Sequence, residues 1–181
     1  MQRENWEVQS IQREGPEAVR VRIKPLGSAA ALQTNLAGGY VSFSLPTVPR
    51  LRRTYSVVHQ DPQGLEYVVK NVRGGRASRF FHTQLQPGDV LELMDFGNAL
   101  WKAEWDRDPQ HFIAFAGGIG MSPIIGCMHR ALSSEVGHRF TLYQSSRSER
   151  RRLFKNELDT LRRHPKCSVY QLCTESQNHT N

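Results

Sequence analysis

Between Lys102 and Pro109 the spacing of apolar residues changes, and that change restricts the chain to a small set of two-part architectures. Before it, apolar and polar residues alternate. Val19, Val21 and Ile23 are separated by Arg20 and Arg22, Val41, Phe43 and Leu45 by Ser42 and Ser44. Leu65, Tyr67 and Val69 follow the same rule, and Val90-Leu91-Glu92-Leu93 closes the series. Turn sequences such as Asp61-Pro62-Gln63-Gly64 and Pro87-Gly88-Asp89 divide the runs, so this half reads as an antiparallel barrel or sandwich. One helix interrupts it, expected from about Ser78 to Leu85 with Phe81 and Leu85 on one face.

After the change the apolar residues come as continuous runs and helical stripes. His111 to Ala116 is the pattern of a strand covered on both faces. Ile124, Ile125, Met128, Ala131 and Leu132 then fall at helical spacing within Pro123 to Leu132, and Phe140 to Tyr143 forms a second strand. Ser148 can cap a helix carrying Leu153, Phe154, Leu158 and Leu161, and Cys167 to Cys173 is a third strand. Strand–helix–strand–helix–strand means a parallel sheet. The two units are expected at residues 1–106 and 107–181. A sheet of this type ordinarily continues from its first strand in the opposite direction. Only Thr174 to Asn181 follow the third strand here, so the first strand is expected at an edge, its apolar faces half covered. The chain is expected to be truncated, or completed by another chain.

Composition removes several classes. Lys and Arg number 24 against 17 acids, a formal charge of +7, which suits an anionic ligand, an acidic partner or nucleic acid. Eight of those cations lie between Arg147 and Lys166, but Phe154 is the sole aromatic among them, which argues against a nucleic-acid surface. Cys127, Cys167 and Cys173 show no metal spacing. Cys167 and Cys173, six positions apart in one strand, would stand about 20 Å from each other. Reduced thiols in a cytoplasmic protein fit best. The amino terminus has no apolar signal core, and no run approaches the roughly 20 residues of a membrane span. The seven histidines form no metal-binding pair, so no metal is expected.

Three short stretches carry chemistry. In Arg53-Thr54-Tyr55-Ser56 the aromatic can stack on a planar ring, the hydroxyl can reach a ring nitrogen, and the guanidinium can hold phosphate. Taken alone, it also reads as a surface arginine beside a half-buried strand tyrosine. Gly74 and Gly75 permit close backbone approach, and the helix after them offers free N–H groups to phosphate. Gly118-Ile119-Gly120-Met121-Ser122-Pro123 follows an apolar strand and opens a helix, as a dinucleotide turn does. The second strand of that unit ends Gln144-Ser145-Ser146-Arg147, with Arg151 one helical turn beyond. Hydroxyls and guanidinium in place of an acid favour a 2′-phosphate, hence NADPH over NADH.

Arg-x-Tyr-Ser, then Val-Lys with Gly-Gly-x-x-Ser, then Gly-x-Gly-x-Ser-Pro resembles the ferredoxin–NADP reductase superfamily, and within it the reductase subunits of multicomponent oxygenases. The match covers nearly the whole chain. It implies a six-stranded antiparallel FAD-binding barrel followed by an incomplete parallel-sheet nucleotide domain. Arg53 would bind the FAD pyrophosphate, Tyr55 would stack on the isoalloxazine, and Ser56 would hydrogen-bond near its N5, with Thr54 between them. Val69 and Lys70 match the stretch that meets the ring edge, and Gly75, Arg76, Ala77 and Ser78 the segment that cradles the pyrophosphate. Gly118, Gly120, Ser122 and Pro123 match the nicotinamide-dinucleotide turn, with Ser146, Arg147 and Arg151 around the 2′-phosphate. Electrons would pass from NADPH, or NADH, through FAD to an iron–sulfur protein or oxygenase component. The alternative is a truncated or split flavin-binding module, catalytically weak. Gly38-Gly39-Tyr40 stands where the family has Pro-Gly-Gln, and no run of clustered cysteines exists to hold an iron–sulfur centre.

Overall fold

The alternating half closes on itself. The computed structural model describes residues 3–27, 29–46, 50–98 and 100–175, so the end of the polar tail lies outside the described residues. The barrel strands are β1 (Glu4–Arg13), β2 (Ala18–Pro25), β3 (Gly39–Leu45), β4 (Leu51–Asp61), β5 (Gly64–Lys70) and β6 (Val90–Asn98). Around the wall they run β1-β2-β5-β4-β3-β6, every pair antiparallel. Closure pairs both edges, which an open sheet of this composition would leave exposed. The alternation sorts residues as expected: Val21, Ile23, Phe43, Leu65 and Tyr67 are fully buried. On the outer wall Arg22 pairs with Asp61 at 2.7 Å and with Glu66 at 3.1 Å. Asp61 also closes the β4–β5 turn, its Oδ1 accepting the N–H groups of Gln63 and Gly64.

Two barrel elements had no clear sequence signal. Trp6 and Val8 of β1 point inward, but a bulge between Val8 and Ser10 breaks the period after two apolar residues. The four-residue helix α1 (Ala30–Gln33) is too short to show one. Helix α2 (Arg76–Thr83) starts two residues before the expected Ser78 and stops short of Leu85. Gly75, with extended backbone, serves as its N-cap, so Ser78 lies within the first turn. Phe81 and Leu85 are both buried as expected.

The second half forms a parallel sheet of β7 (His111–Gly117), β8 (Arg139–Ser146) and β9 (Cys167–Cys173), in that order, with β7 at an edge. Helices α3 (Met121–Ser133) and α4 (Lys155–Leu161) share a core with one face, through Ile125, Met128, Leu142, Leu158 and Leu161. The double coverage that the continuous run of β7 suggests is not found; the half-covered edge strand expected in its place is. Among the described residues both helices lie on the same side, so Ile113 and Phe115 stand 59% and 76% exposed. Phe115, Tyr143 and Tyr170 stack across the open face with centroids 4.9 and 5.0 Å apart.

The single helix expected from Ser148 is also corrected. A short 3-10 turn, Glu149–Arg151, precedes α4, and Phe154 between them adopts a left-handed φ of 60°. Outside partners hold the chain there. Glu14 accepts the Phe154 N–H at 2.7 Å, and the Gln144 amide donates to the Leu153 carbonyl. Leu153 and Phe154 are still buried, so the apolar stripe was right and its local geometry wrong.

Helix α3 lies against β4 of the barrel. Gly126 permits the approach: a Cβ there would stand 2.8 Å from the Gly38 nitrogen and 2.9 Å from the Val57 carbonyl oxygen. Arg20 adds a polar tie, meeting Glu14 at 2.8 Å and Glu66 at 3.1 Å on the barrel and also Glu157 on α4. Burial works against its charge, but Glu157 and Glu14 together outweigh it and the guanidinium pKa is raised. Trp101, buried and T-shaped against Trp105, donates to Asp106 where the two halves meet. Alanine ordinarily gains about 1 kcal/mol over glycine inside a helix. Gly126→Ala should nevertheless lower the denaturant midpoint, because its methyl meets backbone. A raised midpoint would mean that α3 and β4 are not so close.

Candidate functional site

Strand β4 brings Tyr55 to the end of the barrel core, where its ring meets three others. It stacks on Tyr67 at 5.4 Å with 22° between planes, and meets the edge of Phe81 at 5.1 Å and Phe43 at 6.5 Å. That support fixes the ring with one side left to a cleft of about 520 Å³. Burial pushes the Tyr55 phenol up to about 12, against the pull of Arg53, so it is neutral in any physiological condition. Behind it Tyr67 is fully buried, its hydroxyl without a partner among the described residues and its pKa raised well above the ordinary value, chiefly by burial.

The cleft gathers all three sequence stretches. Arg53, Thr54, Tyr55 and Ser56 form one wall, and Val69 and Lys70 of β5 continue it. Gly75, Arg76, Ala77 and Ser78 lie at the N-terminus of α2, and Gly120, Ser122 and Pro123 close over from the second half. Not every side chain is available. Thr54 Oγ1 is 2.7 Å from Ser42 Oγ, so that hydroxyl is tied to β3. Ser78 Oγ accepts the Val72 N–H and donates to the Gly75 carbonyl, which holds the turn before α2. Its service to an anion is therefore through the backbone. The first helical bond of α2 runs from Arg79 N–H to the Gly75 carbonyl, and the amides of Ala77 and Ser78 precede it at the cleft.

A planar ring with a diphosphate tail fits these residues. Ser122 lines the cleft and is 97% inaccessible; its Oγ is itself buried and has no hydrogen-bond partner among the described residues, at the start of a thirteen-residue helix. A Cβ built at Gly118 or Gly120 would meet nothing within 4 Å, so the turn faces open space. An unmade buried hydrogen bond of this kind costs about 1–3 kcal/mol.

A second cleft of about 270 Å³ lies beyond that turn. Gly117, Gly118, Ser145, Ser146, Arg147 and Arg151 line it, and Lys70 borders both clefts. Arg147 is exposed and has no side-chain partner among the described residues. Arg151 is held by Glu17 of the β1–β2 turn, at 3.7 Å. Glu17 was missed from the sequence: a lone acid in a turn has no motif, and only the fold brings it across. Val68, Val72 and Ile119 also line the first cleft without having been singled out. Among the described residues no group of three His, Cys, Asp or Glu could hold a metal, and no helix is long and apolar enough to cross a membrane.

No family model matches the chain. It is 31% identical over 128 residues to tetrachlorobenzoquinone reductase of Sphingobium chlorophenolicum, a match spanning 68% of this chain and 37% of that protein. Against phthalate dioxygenase reductase of Burkholderia cepacia identity is 32%, spanning 67% and 37%. The match to the reductase component of phenol 2-monooxygenase from a Pseudomonas species is 32% identical and spans 73% and 37%. The chain thus corresponds to little more than a third of the length of these relatives. Among solved structures, the ferredoxin–NADP+ reductase of Plasmodium falciparum with 2′P-AMP superposes with a TM-score of 0.81 at 17% identity. It covers 98% of this chain and 74% of that one.

Removing the orphaned hydroxyl isolates its cost. Ser122→Ala should leave the ligand-free protein as stable or raise its stability by about 1 kcal/mol in thermal unfolding. A clear loss of stability would show that the hydroxyl is already paired.

Proposed function

We propose that this chain, which belongs to the ferredoxin–NADP reductase superfamily, is an FAD-dependent NAD(P)H oxidoreductase module delivering electrons to an iron–sulfur protein or oxygenase component. The observation that carries this is the convergence of Tyr55, the α2 N-terminus and the 118–123 turn on one cleft, beside a second cleft lined by Arg147. We take residues 1–106 as the flavin unit and 107–181 as the nucleotide unit.

Each residue has a physical task. Tyr55, immobilised by Tyr67 and Phe81, offers a flat apolar wall to the isoalloxazine, and its neutral phenol adds no charge there. Ser56 stands next to it in the lining, within the same strand, as a donor for the redox edge of the ring. Arg53 and the α2 amides would neutralise the pyrophosphate. Ser122 and Pro123 would close the cleft at the start of α3, and the turn at Gly118 and Gly120 would let a dinucleotide approach closely. Ser146, Arg147 and Arg151 would receive a 2′-phosphate, which makes NADPH the preferred donor. FAD, when bound, supplies the exchange between two-electron and one-electron carriers; the protein supplies orientation and electrostatics.

Partner and donor assignments follow from the kinship and the charge. A protein of +7 favours an acidic acceptor surface. The reductase names of the relatives fit an oxygenase or iron–sulfur component there.

The reading is tested in two steps. Tyr55→Ala should weaken FAD binding about three- to tenfold in a fluorescence titration; unchanged affinity would remove the stacking role. Anaerobic NADPH should bleach the flavin absorbance of the loaded wild-type chain, and faster than NADH. A flavin that binds but is never bleached would leave only a flavin-binding module.

A further inference from the structure

Glu17 sits among the cations of the second cleft without belonging to any motif. Its backbone is pinned, because its carbonyl accepts the Asn71 N–H at 2.7 Å at the end of β5. Its carboxylate bridges the two halves of the molecule. One oxygen lies 3.4 Å from Lys70 Nζ on the barrel, the other 3.7 Å from Arg151 Nε on the nucleotide side. Both separations exceed a good charge-assisted hydrogen bond. Glu17, Lys70 and Arg151 are each about two-fifths exposed, so the contacts are weak and exchangeable.

Resting on the nucleotide reading of this cleft, we propose that Glu17 is a specificity-determining residue that occupies Arg151 and Lys70 in place of a phosphate. An incoming 2′-phosphate must displace the carboxylate or bind beside it, and like charges this close repel. A 2′-hydroxyl meets no such opposition. Arg147, which has no side-chain partner among the described residues, attracts phosphate regardless of Glu17. The cleft therefore carries opposed devices, one set attracting the 2′-phosphate and one acid tempering that attraction. Glu17 fixes how strongly the phosphorylated dinucleotide is preferred.

The probes are adenosine 2′,5′-bisphosphate and adenosine 5′-monophosphate, which differ only in the 2′-phosphate, titrated calorimetrically into the full chain. Glu17→Gln keeps the shape and removes the charge, and Glu17→Asp keeps the charge. Far-UV circular dichroism and thermal midpoints confirm that both variants are folded, and Glu17→Ser serves if the glutamine variant is not. Bisphosphate affinity should rise about three- to tenfold in Glu17→Gln at low salt, with the monophosphate unchanged and the gain shrinking as salt is added. Glu17→Asp should stay nearer the wild type. Equal changes for both ligands, or none, would overturn the role of Glu17 while leaving the nucleotide site intact. Weaker monophosphate binding with the bisphosphate unmoved would show that Glu17 accepts ribose hydroxyls instead, and would also overturn it. If the wild type binds neither ligand, the nucleotide reading of the cleft fails and this assignment falls with it.

Discussion

The close approach of α3 to β4 is the contact on which the rest depends. Gly126 removes the side chain that would hold the helix away from Val57 and Gly38. Because α3 begins at Met121, that approach carries the 118–123 turn over the cleft beside Tyr55. One helix position thus decides whether two separate half-sites become adjacent. Arg20 secures the same geometry from another direction by joining Glu14 and Glu66 to Glu157. Such partly buried ion networks add little net stability but penalise any arrangement that leaves a member unpaired. Burial raises the Glu157 carboxyl against the pull of Arg20.

The two clefts differ in how they are built. The first rests on the barrel core: Tyr55 is braced by Tyr67, Phe81 and Phe43, so its ring is fixed before any ligand arrives. Preorganisation of that kind lowers the entropic cost of binding a flat ring. The second cleft is lined by partly exposed cations and one acid. It is electrostatic rather than steric, and single charges tune it. Lys70 belongs to both, so its pairing with Glu17 links the two clefts.

Much of this was legible in the chain because it rests on local rules. Alternation in β2, β3 and β5 marked the barrel wall, and the glycine-rich turn after β7 marked the start of α3. What was hidden depends on distant partners. The bulge in β1 disrupts its period, and Phe154 turns left-handed because Glu14, 140 positions earlier, takes its N–H. The continuous apolar run of β7 suggests burial on both sides, whereas α3 and α4 lie on one; the half-covered edge was legible only from how little chain follows β9. At the clefts, the stretches marked in the sequence come together, but the availability of their side chains could not be read. Thr54 and Ser78 have their hydroxyls tied to Ser42 and to the turn before α2. Glu17 entered only once the fold had placed it.

The central claim is that the cleft beside Tyr55 holds FAD. The most direct measurement is gel filtration of the purified chain after incubation with excess FAD, recording protein and flavin absorbance together. The account predicts a yellow protein peak carrying one FAD per chain, its flavin fluorescence quenched by the adjacent tyrosine. A colourless protein peak, with all flavin eluting as free cofactor, would contradict it.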